Sequence, residues 1–332
     1  MNKPETVNLY EGSGKTLRER DIELPLFTSD DYMTDPRGYQ PSEGLKDAVN
    51  VALKLGQPLL LTGDPGSGKT QLAFALAHEL NLAPLVFYTK STSVASELFY
   101  RYDALRHFQD VQLKRPERPL DDYIEYRALG TAIQRAMNRS DANCPAQFRS
   151  LPPQRAVVLI DEIDKAPRDL PNDVLNELEE MAFEVRENGK VFRASKAYWP
   201  ILVLTSNQEK DLPEAFRRRC VFYHIPFPKD RLDQIVRGRL RLPADYPAER
   251  LRKALDLFIE IRSMPLEKRP STAELLAWIR VLDSLGIELN GKPADLPERQ
   301  QMLLATSYAV LAKGVEDMKQ LRATLPSLAA HA

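Results

Sequence analysis

From Ser42 onward, apolar residues recur at Leu45, Val49, Ala52 and Leu53. That spacing lays one stripe along a helix, and Gly56 supplies its stop. A short apolar run, Pro58–Leu61, enters a glycine-rich turn, after which Gln71–Leu80 returns to helical spacing. Leu85–Tyr88, Val157–Ile160 and Ile201–Leu204 are further short apolar runs flanked by helical stretches. Runs without polar alternation predict strands buried on both faces, and their alternation with helices predicts a mostly parallel sheet in an α/β core. Past about Pro228 such runs cease, while helical spacing continues over Arg231–Leu240, Ala248–Ile261, Thr272–Leu285, Pro297–Ala312 and Val315–Leu325. Ser271 with Glu274 forms a capping box at the start of the third of these. The expected organisation is a polar lead-in over 1–35, an αβα core over 36–228 and an all-helical domain over 229–332.

A length of 332 residues suits two domains. Lys+Arg 46 against Asp+Glu 47 leaves a net charge of −1, without the global basic footprint of a nucleic-acid or anionic-membrane binder. Neither nucleic acid nor a membrane is therefore an expected partner. No apolar run approaches the roughly 18–20 residues that a membrane span needs. Two cysteines build no disulfide framework, and two are too few for a zinc site without help from the four scattered histidines. Met1–Arg20 lacks the apolar segment of a signal peptide, so a reducing, cytoplasmic setting is expected.

The chemistry is concentrated at strand ends. Gly63-Asp64-Pro65-Gly66-Ser67-Gly68-Lys69-Thr70 matches G-x-x-x-x-G-K-[ST] in full. Its glycines let backbone amides turn toward phosphates, Lys69 neutralises phosphate charge, and the Thr70 hydroxyl ligates Mg²⁺. Gly12-Ser13-Gly14-Lys15-Thr16 repeats only the tail of that motif, with no strand before it, and reads as a solvated loop. Val157–Ile160 ends in Asp161-Glu162, a carboxylate for the Mg²⁺ shell followed by one that polarises the attacking water. Ile201–Leu204 runs into Thr205-Ser206-Asn207, where the Asn207 amide is placed to sense a γ-phosphate and the water; the alternative is an ordinary turn residue. Arg217-Arg218-Arg219 is either a solvated basic helix end or an arginine finger serving a neighbouring subunit.

In this order, the glycine loop, Leu159–Lys165, Thr205–Asn207 and Leu212–Cys220 resemble AAA+ ATPases of the MoxR family from about Tyr39 to the helical end. The resemblance implies an ATP-hydrolysing αβα core with a helical lid and a ring, usually hexameric. It also implies chaperone-like remodelling of client proteins, often ones with a von Willebrand factor A domain. Carried over by motif, Lys69 and Thr70 match the phosphate and Mg²⁺ ligands, Asp161 and Glu162 the Walker B pair, and Asn207 the first sensor. Arg219 matches the finger best, with Arg218 second, and Arg269 is offered as a second sensor without a distinctive signature around it. An ATP-dependent oligomerisation switch with slow turnover is the alternative function.

The stretch between Lys69 and Asp161 exceeds one crossover helix and strand, so an insertion is expected around 96–128. By resemblance it faces the ring pore and the client; alternatively Phe99, Tyr100 and Tyr102 are core aromatics. A hairpin is expected within Phe183–Tyr198, turning on Asn188-Gly189 as a type I′ pair. Tyr39 is offered as a packed tyrosine or an adenine neighbour, Cys144 as a residue of a polar loop, and His78 and His107 as structural.

Overall fold

The computed structural model describes residues 35–116, 118–289 and 291–325. The lead-in before residue 35, with its loop Gly12–Thr16, and the segment after residue 325 lie outside the described residues. Among the described residues the chain separates into two units, one of residues 41–64 and 69–226, the other of 35–40, 65–68 and 227–325.

In the first unit, α1 (Glu43–Leu55) starts at Ser42, whose hydroxyl accepts from the Leu45 amide, and closes on Gly56 in the left-handed region. β1 (Leu59–Gly63) is buried throughout and leads through the glycine loop to α2 (Lys69–Glu79) and β2 (Ala83–Tyr88). There follow β3 (Tyr100–Tyr102), α3 (Ala104–Gln112), β4 (Ile124–Tyr126), α4 (Ala128–Ala136) and β5 (Ala156–Asp161). β6 (Ala182–Val185), β7 (Lys190–Arg193), β8 (Ile201–Ser206) and β9 (Val221–Ile225) complete the unit. The main sheet is parallel in the order β2-β5-β8-β1-β9. β5, β8 and β1 occupy its middle, which is why their sequences are continuous apolar runs. With Thr62 paired to Ser206 and Ile160 to Leu204, their carboxyl ends emerge at one edge, where open α/β sheets place their sites.

One open alternative is decided here and one expectation is corrected. The insertion holds the antiparallel pair β3 and β4, whose three-residue strands are too short to show a period in sequence. Phe99 and Tyr100 belong to the core at 4% and 6% exposed, and the Phe99 ring stacks on Phe183 at 5.1 Å. α4 lies so close beneath them that a Cβ on Gly130 would stand 2.0 Å from the Phe99 carbonyl oxygen. The exposed large apolar residues of this segment are instead Leu105, Phe108, Val111 and Leu113, on and just after α3, and Leu120. The β6–β7 hairpin forms, but with a four-residue loop over 186–189 in which Gly189 is left-handed and Asn188 is not. A type I′ turn needs positive φ at both positions. Here the Asn188 side chain accepts from the Lys190 amide at 3.0 Å, and the Gly189 amide closes on the Val185 carbonyl at 2.8 Å.

In the second unit, α5 (Leu232–Leu240), α6 (Ala248–Ser263), α7 (Thr272–Ser284), α8 (Glu298–Ser307) and α9 (Val315–Ala323) enclose a core with Phe258, Trp278 and Tyr308 at its centre. Both bonds of the capping box are made: the Ser271 amide donates to Glu274 Oε2 at 2.6 Å and the Glu274 amide to Ser271 Oγ at 3.4 Å. The helix expected over Pro297–Ala312 ends earlier, at Ser307, and tightens into a 3₁₀ turn over Tyr308–Val310. The buried Ser307 hydroxyl donates back to the Leu304 carbonyl while accepting from Trp278 Nε1 at 2.9 Å, a side-chain competition that ends helices.

Candidate active site

The glycine loop is shaped by its two inner glycines. Gly66 and Gly68 hold φ of 72° and 91°, and a Cβ on Gly66 would stand 2.5 Å from Ser271 Oγ. A Cβ on Gly68 would meet the Tyr39 ring at 3.2 Å; that ring packs under the Arg239 guanidinium at 5.4 Å, so Tyr39 is a packed tyrosine beside the loop. Ser67 Oγ is buried without a hydrogen-bond partner. Lys69, 6% exposed, donates to the Gly63 carbonyl at 2.7 Å and the Asp64 carbonyl at 3.0 Å. Burial pulls the Lys69 ammonium below the ordinary lysine range, while Asp161, Asp164, Asp64 and Glu162 act in the opposite direction.

Next to it, Asp161 Oδ1 accepts from Thr70 Oγ1 at 2.8 Å and from Thr205 Oγ1 at 2.7 Å. Thr205 Oγ1 in turn accepts the Glu162 amide at 2.8 Å, which holds Glu162 at the strand end with φ 55°, left-handed for a residue that is not glycine. The Glu162 carboxylate takes Asn207 Nδ2 on Oε1 at 2.8 Å and is paired with Lys165 on Oε2. That pairing raises the Lys165 pKa, the hydrogen bond to Glu162 being the main cause. The structure thus brings Lys69, Thr70, Asp161, Glu162 and Asn207 to one sheet edge. Thr205, which sequence reasoning quoted without a role, is the hydroxyl that joins Asp161 to the Glu162 backbone. Its signal is a polar residue ending a buried apolar strand.

Arg218 and Arg219 are not brought there. Val221 pairs with Leu59 and Ile225 with Gly63, so both arginines lie beyond the amino end of β9, a strand length of roughly 16 Å from the glycine loop. Arg218 pairs with Glu214 and Arg219 with Glu179. Both arginines and Glu179 rim a cavity of about 250 Å³ that Leu55, Trp199 and Cys220 also line. Arg269 lies in the other unit, exposed just ahead of Ser271. Within that unit, Ser271 and Ala273 are the residues of the helix start that approach Gly66.

Cys144 lies in a loop, as expected, with its side chain buried, and Cys220 is half-buried. Burial pushes the Cys220 thiol up to about 12 from 9.0. At pH 8 this leaves it about 10³-fold less thiolate than an ordinary cysteine. Ellman's reagent at pH 8 is expected to release both thiols promptly in denaturant and at least ~10²-fold more slowly from the native chain. A fast native thiol assigned to Cys220 by mass spectrometry would contradict this.

The parallel sheet, the glycine loop at its carboxyl edge and the helical C-terminal region define a P-loop AAA+ fold. Residues 58–220, just under half of the chain, match the model of the AAA domain family (dynein-related subfamily). Among solved structures, the chain is similar to a RuvB variant of Thermotoga maritima at 14% identity and TM-score 0.42, covering 81% of this chain and 67% of that one. It is also similar to NtrX from Brucella abortus at 13% identity and TM-score 0.43, covering 91% and 70%. No curated protein matches the chain. Among the described residues no helix is long and apolar enough to cross a membrane.

Proposed function

We propose that the chain hydrolyses ATP and, as a ring of identical subunits of the MoxR kind, remodels or activates a client protein in the cytoplasm. The observation that carries this reading is the continuous network Thr70–Asp161–Thr205–Glu162–Asn207, which aligns a cation-binding pair beside a carboxylate held by an amide. Thr70 Oγ1 and Asp161 Oδ1, 2.8 Å apart, are hard oxygen donors suited to Mg²⁺, and within the glycine loop the buried, unpartnered Ser67 Oγ suits a phosphate oxygen. Thr70 and Asp161 would hold Mg²⁺, which would neutralise charge on the transferring phosphoryl group. Lys69 holds the phosphates, Glu162 accepts the proton of the attacking water, and Asn207 fixes the Glu162 carboxylate. Because Arg219 lies a strand length from its own glycine loop, it is assigned to a neighbour's site, with Arg218 as its alternate. Arg269 is assigned to phosphate contact on motif position alone. The exposed apolar face at Leu105, Phe108, Val111 and Leu113 supports contact with a client, with a von Willebrand factor A domain as the proposed partner type and a hexamer as the proposed ring.

A slow oligomerisation switch is the second reading, favoured by the Lys165 ammonium on Glu162, which occupies Oε2 of the carboxylate that would take the water's proton. Steady-state turnover with and without the partner separates the two.

The decisive test is Lys69→Ala by isothermal titration. Nucleotide binding is expected to vanish, because the loop loses its cation, whereas Lys15→Ala is expected to bind as wild type. Equal loss in both variants would assign the wrong glycine loop.

A further inference from the structure

Asp164 is 2% exposed, and none of the roles above uses it. Its Oδ2 accepts two backbone amides from the neighbouring strand-end loop, Asn207 at 3.1 Å and Glu209 at 2.9 Å, while Oδ1 has no hydrogen-bond partner. Between those amides, Gln208 sits at φ 60°, left-handed, with its own amide on Ser206 Oγ at 3.0 Å. A non-glycine residue stays in that region only where its surroundings over-determine it. Here the surroundings are one buried carboxylate that clasps the amides on either side. The same turn carries Asn207, whose side chain reaches Glu162 two residues before Asp164 in the chain. Glu162 is itself left-handed. Two strained strand-end turns are therefore tied together, by Asn207 at their tips and by Asp164 at their base. Charge-assisted bonds to backbone amides are shorter and stronger than neutral ones, so a carboxylate suits this task.

We propose that Asp164 is a positioning residue for hydrolysis, fixing the turn 206–209 so that Asn207 Nδ2 stays on Glu162 Oε1. This rests on the ATPase reading above. Asp164 also contributes to the field at Lys69, so a loss of charge must be separated from a loss of anchoring. Asp164→Asn makes that separation, because the amide oxygen keeps both backbone bonds while the charge disappears.

Asp164→Ala is expected to bind ATP within a few-fold of wild type and to lower kcat by about 10²-fold, the cost of displacing a reacting group by about 1 Å. Asp164→Asn is expected to keep kcat within about 10-fold. The double variant Asp164→Ala/Asn207→Ala is expected to be no slower than Asn207→Ala, since both act through one contact. Independently of activity, hydrogen exchange of the Asn207 and Glu209 amides is expected to quicken by about 10- to 10²-fold in Asp164→Ala and little in Asp164→Asn. Unchanged exchange at those amides, or additive loss in the double variant, would overturn the proposal. So would an Asp164→Asn variant as slow as Asn207→Ala, an outcome that remains readable if Asp164→Ala does not fold. A wild-type chain that hydrolyses no ATP would sink the ATPase reading, and the exchange measurement would still decide the positioning role.

Discussion

Arg219→Ala is expected to leave ATP binding intact and to lower turnover by about 10³–10⁵-fold, the effect of removing an arginine finger. The argument is geometric. The Arg219 guanidinium pairs with Glu179 beyond the amino end of β9, whereas Lys69, Thr70, Asp161 and Glu162 lie at the carboxyl edge of the same sheet. A side chain cannot cover a strand length, so any catalytic contribution is made in trans. Folding is expected to survive, because an ion pair exposed at 42% and 50% contributes at most about 1 kcal/mol. Mixing Arg219→Ala with Glu162→Gln sharpens the test. In a random one-to-one ring roughly a quarter of interfaces join an intact Glu162 to an intact Arg219, so part of the wild-type rate is expected to return. With subunit exchange confirmed, an absence of recovery at every ratio would place Arg219 in cis or in a structural role. Recovery with Arg218→Ala in place of Arg219→Ala would move the role by one residue.

Glu162→Gln is expected to bind ATP like wild type and to turn over at least ~10²-fold more slowly, the usual contribution of a general base. The amide keeps an acceptor for Asn207 Nδ2, so the turn is preserved while the proton acceptor is lost. What remains is a chain holding ATP, and single-turnover measurements are expected to show the loss at the chemical step. A wild-type kcat in this variant would remove Glu162 from the mechanism.

Local chemistry explains how much of this was legible beforehand. The glycine loop, the carboxylate pair and Asn207 were readable because each closes a short apolar run, and buried parallel strands admit few other patterns. Ser271 and Glu274 were readable because a capping box is a contract between residues three apart. The turn at Asn188-Gly189 was misread, because whether Asn188 adopts positive φ or caps the Lys190 amide depends on a side-chain bond that composition does not express. Phe99 and Tyr100 read equally well as surface or core until Phe183, far along the chain, stacked against them.

By itself the sequence determined the alternation of buried strands with helices, the place of the glycine-rich loop and the types of residue available for chemistry. These follow from periodicity and from residues a few positions apart. Only the tertiary structure decided that Thr205 joins Asp161 to the Glu162 backbone, that Asp164 clasps the turn carrying Asn207, and that Arg219 stands at the opposite end of the sheet from its own glycine loop. Those relations depend on strand register, which pairs residues more than 40 positions apart, and the hydrogen bonds that fix it are made by backbone groups that every residue shares.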